Sequence, residues 1–206
     1  MKKWVTLLAY GPSLAMWEQE IKGEVWAMNL VEKFIDQIGA PQILDLVTTR
    51  FDMHGMERWD EVFYKSMSRG GWHVEWMEKT GGRVISRYGE RGTTAYPLDD
   101  VERMLGIEKV TDRWGQPFWW AQIIYMLGLA LYEGFDGIHI IGADLVAKGY
   151  REQREGFNYL LGYAFARGIE VTGETVARGA VIQRYGYDDL SGLRESESTK
   201  ITFIKP

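Results

Sequence analysis

Three histidines and no cysteine narrow the side-chain chemistry open to this chain of 206 residues. Histidine is the side chain best suited to moving protons near neutral pH. His54 closes the stretch Arg50-Phe51-Asp52-Met53-His54, just past an apolar run that reads as a strand. It is either a proton-transfer group at the ligand side of a sheet or a loop histidine capping a backbone group. His73 opens a surface helix in this reading. His139 stands between Ile138 and Ile140, where a buried, hydrogen-bonded structural histidine is expected. Asp144 lies two residues past Gly142, in Ile138-His139-Ile140-Ile141-Gly142-Ala143-Asp144. A short acid there reaches ribose hydroxyls or acts as a base, or else caps the helix that follows. Asp52 is a second acid, able to work with Asp144 and His54 if their strands lie side by side.

A second set of residues suits phosphate and nucleotide binding. The run Trp4–Ala9 breaks into Tyr10-Gly11-Pro12-Ser13. Gly11 lets backbone approach a ligand. Ser13 sits where a helix N-terminus would meet phosphate, and equally where it would cap that helix. Asn29 follows Glu24–Met28 and reads a base edge or ribose, or turns the chain. Arg50, Lys148, Arg151 and Arg154 neutralise a diphosphate or sugar acid, or form a solvated charged face.

Several signatures are missing. There is no Walker A loop, no Gly-x-Gly-x-x-Gly, no Gly-x-Ser-x-Gly elbow and no His-Glu-x-x-His. No metal site is expected from residue clusters, and Asp99-Asp100 reads as the first turn of a helix. A weakly held Mg²⁺ bridged by phosphates stays open.

Elements that alternate along the chain must position these residues. Strands are expected at Trp4–Ala9, Glu24–Met28, Ile43–Thr48, Arg83–Ser86, Ile138–Ile141 and Ile169–Thr172, with Ile201–Ile204 as an edge strand or terminal arm. Helical segments are expected at Ser13–Ile21 (or a turn), Val31–Ile38, Arg58–Met67, His73–Lys79, from Pro97, Phe118–Glu133 and Arg151–Arg167. Strands each followed by small or polar residues give an α/β fold: a Rossmann-like, open, mostly parallel sheet flanked by helices. The whole chain, 1–206, reads as one nucleotide-binding domain, with 50–115 as an irregular helical insertion or lid.

Composition sets the outer bounds. Hydrophobic residues make up 46% of the chain, enough for a large core. A net charge of −5 argues against a surface that coats nucleic acid or anionic membrane. Nucleic acid stays open only as an acceptor. No apolar run nears the roughly 20 residues that span a bilayer, so a cytoplasmic protein is expected. Nine tryptophans and eleven tyrosines exceed what one small domain needs to bury, so a homo-oligomer is expected.

Taken together, Leu8-Ala9-Tyr10-Gly11-Pro12-Ser13, Met28-Asn29, Arg50–His54, Tyr96–Val101, Ile124–Ala130 and Ile138–Asp144 resemble a group of phage and prophage proteins with a Rossmann-like fold. More remotely they are similar to bacterial sialyltransferases, which use a CMP-activated sugar. The Gly-Pro-Ser turn also resembles the pterin diphosphokinase-like group. These resemblances imply that Gly11, Pro12 and Ser13 line the nucleotide phosphate or ribose. They imply that Asn29 contacts the nucleotide and that Gly142 and Asp144 close the opposite wall. Tyr150 would give its hydroxyl to a leaving phosphate, beside Arg151. The chain departs from the sialyltransferase pattern at Tyr10, which stands where asparagine precedes the turn. It departs again at Ala121-Gln122, and in having no histidine after Asp144. The expected activity is a nucleotide-sugar-dependent glycosyltransferase, with nucleotide or nucleotide sugar as substrate. A phage-encoded member would act in the host cytoplasm. The alternatives are a nucleotide diphosphotransferase or hydrolase, and a nucleotide-binding protein without turnover.

Overall fold

The computed structural model describes residues 1–19, 21–54, 82–89, 92–107, 119, 121–143 and 154–173. Seven strands form one sheet: β1 (Trp4–Leu8), β2 (Glu24–Met28), β3 (Thr49–Asp52), β4 (Arg83–Ser86), β5 (Thr94–Ala95), β6 (Gly137–Ile141) and β7 (Glu170–Thr172). Their order is β5-β4-β3-β2-β1-β6-β7, and every pairing is parallel. Among the described residues four α-helices accompany them: α1 (Val31–Gln37), α2 (Leu98–Leu105), α3 (Gln122–Tyr132) and α4 (Arg154–Ala166). Two 3₁₀ segments, Pro12–Gln19 and Pro41–Leu46, complete the described connections. This is the Rossmann-like α/β architecture expected from the alternation of the sequence.

The chain winds outward from β1 to β5, then returns to place β6 on the other side of β1. Parallel crossovers are right-handed. Outward and return connections therefore lie on opposite faces: the 3₁₀ segments and α1 on one, α2 to α4 on the other. The second face holds the larger aromatic core. Trp26 of β2 meets Phe51 of β3 at 5.4 Å between ring centroids, and Phe135 edge-on at 5.2 Å. Every residue of α3 from Ile123 to Leu131 is buried, because the helix has the sheet on one side and α2 and α4 on the other. At Gly128 a Cβ would sit 2.9 Å from Trp119 Cη2 and from the Tyr96 hydroxyl, so a larger residue there would have to displace those side chains.

Strand three is not where the apolar pattern puts it. Ile43–Thr48 was the expected strand, but Pro41–Leu46 is a 3₁₀ segment opened by Pro41 at its first turn. In that segment only Ile43 is buried. The strand is Thr49–Asp52, all four residues buried although two are charged. Helix α3 likewise begins at Gln122 rather than Phe118. Part of the 50–115 region belongs to the sheet and its cover, as β4, β5 and α2. The expected helices Arg58–Met67 and His73–Lys79, and Ile201–Ile204, lie outside the described residues. Among the described residues no helix is long and apolar enough to cross a membrane.

Candidate functional site

Open parallel sheets bind ligands beyond the carboxyl ends of their strands, at the point where winding reverses. Here that point lies between β1 and β6, where Gly11, Ser13 and Gly142 come together. The two chains continue to pair past their strands. The Ala9 N–H donates to the Ile141 carbonyl at 2.8 Å, and the Gly11 N–H to the Gly142 carbonyl at 2.5 Å. The Gly142 N–H donates to Ser13 Oγ at 2.9 Å, and the Leu14 N–H to the Gly11 carbonyl at 2.9 Å. Gly142 has φ +78°, and a Cβ there would lie 2.2 Å from the Ala9 carbonyl oxygen. The glycine is thus required by the approach of two backbones. Ser13, almost fully buried, ties the 3₁₀ segment to the exit of β6.

One strand along, side chains take over. The register pairs Met28 with Phe51 and Asp52 with Ser86, so Asn29, Asp52 and Ser86 follow one another along the edge. The Asp52 side chain is 0% exposed and the His54 side chain 44%. One carboxylate oxygen of Asp52 accepts from the His54 backbone N–H at 3.0 Å and lies 2.9 Å from His54 Nδ1. The Asn29 amide lies 3.1 Å from that same ring nitrogen. The contacting atom of Asn29 is Nδ2, a donor, so the two neighbours ask opposite things of Nδ1. With Asp52 ionised, Nδ1 carries the proton and donates it to the carboxylate, and Asn29 Nδ2 lies beside it without donating to it. Nε2 is then the basic nitrogen of the neutral ring. A buried acid fixing the tautomer of a half-exposed histidine is the arrangement that turns imidazole into a directed general base.

The neighbours stiffen this edge. Ser86 Oγ lies 2.6 Å from Thr93 Oγ1 and accepts from the Gly89 N–H at 2.9 Å, closing the turn that leads to β5. Arg50 is two residues before Asp52, hence on the same face of β3, and is 1% exposed. Burial lowers its pKa from the ordinary value, yet a guanidinium stays charged. It lies beneath the edge, not upon it. Glu32 in the first turn of α1 is also fully buried. Gln122, the first residue of α3, donates from Nε2 to the Phe51 carbonyl, while its Oε1 is buried with no hydrogen-bond partner among the described residues. In the sequence Gln122 stands out only as a departure from the sialyltransferase pattern. Its signal was a lone amide opening an otherwise apolar helix.

The structure therefore gathers Gly11, Ser13 and Gly142 in one place, and Asn29 and His54 with Asp52 in the next, with Arg50 below. Asp144, Tyr150, Arg151, Lys148 and His73 lie outside the described residues. His139 is 2% exposed, with Nδ1 2.7 Å from Thr172 Oγ1, as expected of a buried strand histidine. Among the described residues no group of three or more His, Cys, Asp or Glu is placed to hold a metal.

These elements define an all-parallel, Rossmann-like α/β protein with its polar side chains along one sheet edge. No protein-family model matches the chain, and no curated protein matches it in sequence. Among solved structures it is similar to the sialyltransferase CstII from Campylobacter jejuni in complex with a substrate analogue, cytidine-5'-monophosphate. The two are 12% identical with a TM-score of 0.49, over 84% of this chain and 79% of that one.

Proposed function

We propose that this protein transfers a sugar from a nucleotide-sugar donor to an acceptor hydroxyl, with His54 as the general base. The observation that carries the reading is the Asp52 carboxylate 2.9 Å from His54 Nδ1 at the carboxyl edge; a proton held on Nδ1 by that acid makes Nε2 the basic nitrogen. His54 Nε2 takes the acceptor proton as the acceptor oxygen bonds to the anomeric carbon. The bond from that carbon to the phosphate oxygen breaks, and the phosphate leaves with the electron pair. Gly11–Ser13 and Gly142 form the floor under the nucleotide, and Asn29 fixes the flank of the ring. Asp144 meets the ribose hydroxyls, Tyr150 and Arg151 the leaving phosphate, and Arg50 supplies a positive field from below.

A thermal-shift screen against nucleotides and nucleotide sugars, with and without Mg²⁺, followed by product analysis, tests this. A ligand that binds only the folded state raises the melting temperature by mass action. The reading expects one nucleotide sugar to raise it more than the bare nucleotide does, and His54→Ala to lower transfer by roughly 10²–10⁴-fold. Metal-dependent ATP or GTP turnover with no sugar requirement would replace it with a diphosphotransferase or hydrolase. Tight binding without product would replace it with a nucleotide-binding protein.

A further inference from the structure

Beside the carboxyl edge, between the first 3₁₀ segment and α1, a cleft of about 340 Å³ opens to solvent. Its size falls within the roughly 300–1,000 Å³ of small-ligand sites. Tyr10 and Phe34 line it, their rings stacked at 4.8 Å and within 14° of parallel. Leu14, Ala15 and Ile38 complete an apolar wall, and the Gln37 amide provides the polar side chain. Among the described lining residues none carries a charged side chain. Gly11 also lines it, and Gly11 belongs to the turn that closes β1 onto β6. A group seated in the cleft therefore has its exit toward the carboxyl edge.

We propose that this cleft receives a flat, uncharged ring carried by a ligand whose polar part lies along the carboxyl edge. The two rings are stacked on one another, and a third ring extends the stack by lying on the outer face of one of them. Gln37 offers both a donor and an acceptor to the ring's edge. The ring comes from one of two sources: the base of a nucleotide, or an aromatic group attached to an acceptor. Where the polar part lies rests on the functional reading above; the binding of the ring does not.

The test is ligand-observed saturation-transfer NMR on the full chain with two matched pairs. One pair is cytidine and adenosine against ribose. The other is 4-methylumbelliferyl glucoside against methyl glucoside. The proposal expects the ring-bearing member of at least one pair to bind roughly tenfold or more tighter, in line with base–aromatic stacking. The pair that responds identifies the source. Ala15→Phe, which fills the cleft from an exposed position, and Phe34→Leu, which removes the stack but keeps apolar volume, should both erase the preference. If Phe34→Leu fails to fold, Ala15→Phe decides alone. Equal binding within both pairs, no binding at all, or a preference that survives Ala15→Phe overturns the proposal. Ring-dependent binding with no sugar transfer would sink the transferase reading and leave the cleft standing. Transfer with ring-independent binding would do the reverse.

Discussion

Two neighbouring stretches of one sheet edge solve the problem of exposed backbone in opposite ways. At the β1/β6 junction the main chain closes on itself, and its N–H groups are taken up by the Gly142 carbonyl and by Ser13 Oγ. At the ends of β2 and β3 it is side chains that interlock, with Asp52, His54 and Asn29 meeting at one ring nitrogen. The first arrangement leaves little to titrate and much to break sterically. The second is chemically active and sits on a strand whose hydrogen-bond ladder is complete without it. Substitutions at the junction should therefore appear in stability, and substitutions around His54 in chemistry.

The largest effect expected is on the chemical side. His54→Ala should lower transfer by roughly 10²–10⁴-fold, the usual worth of a positioned general base, with little change in melting temperature. Asp52→Asn should lose much of that rate and alter the pH–rate profile, because the ring tautomer is no longer fixed. An unaltered profile would reduce Asp52 to a turn residue. Next comes Gly142→Ala, which sets a Cβ against the Ala9 carbonyl at positive φ. It should cost about 3 kcal/mol or more in denaturant unfolding. A near-neutral result would mean the junction is not closed as described. Ser13→Ala should be milder, about 1–3 kcal/mol, because the buried Gly142 N–H loses its acceptor. If it instead weakens nucleotide binding without touching stability, the two stretches are less different than they look.

A control lies away from both. Burial first, then Tyr125 and Glu102, pushes the Tyr96 hydroxyl well above the ordinary tyrosine value, while it donates to the Tyr125 carbonyl at 3.0 Å. The folded state holds that proton longer than the unfolded chain. The associated stability is whole below about pH 10 and is lost as pH rises from there toward the raised value. Urea unfolding at pH 8 and pH 11 should show Tyr96→Phe about 1 kcal/mol weaker at pH 8 and less sensitive to alkali than the parent.

The sheet was legible where strands are apolar and stop abruptly, as in β1, β2 and β6. Strand β3 was hidden by its own contents: Arg50 and Asp52 read as loop residues, while the more apolar Ile43-Leu44 stretch nearby competed for the assignment. Polar groups buried beside a candidate site run against local pattern. β5, only two residues long, has no pattern to detect. The same limit applied to the site. Asp52 and His54 were visible as neighbours in sequence, but their meeting with Asn29 depends on β2 lying against β3. The contact of Ser13 with Gly142 spans 129 residues and exists only because β6 returns to β1.

That return has a consequence for how the molecule is made. The strand β1 lies inside the sheet, between β2 and β6, and aligns Trp4 with Gly137. During synthesis β1 can pair with β2 at once, but the backbone N–H and C=O groups of its other edge, which pair with Gly137–Ile141 in the sheet, stay open until β6 leaves the ribosome. At usual elongation rates that interval is on the order of ten seconds. An unpaired apolar edge is a template for wrong partners, and such long-range pairing closes slowly. The nascent chain is thus most vulnerable to aggregation between the synthesis of β1 and that of β6, and a holding chaperone that shields β1 in that interval should raise its yield more than one that acts after β6 has paired.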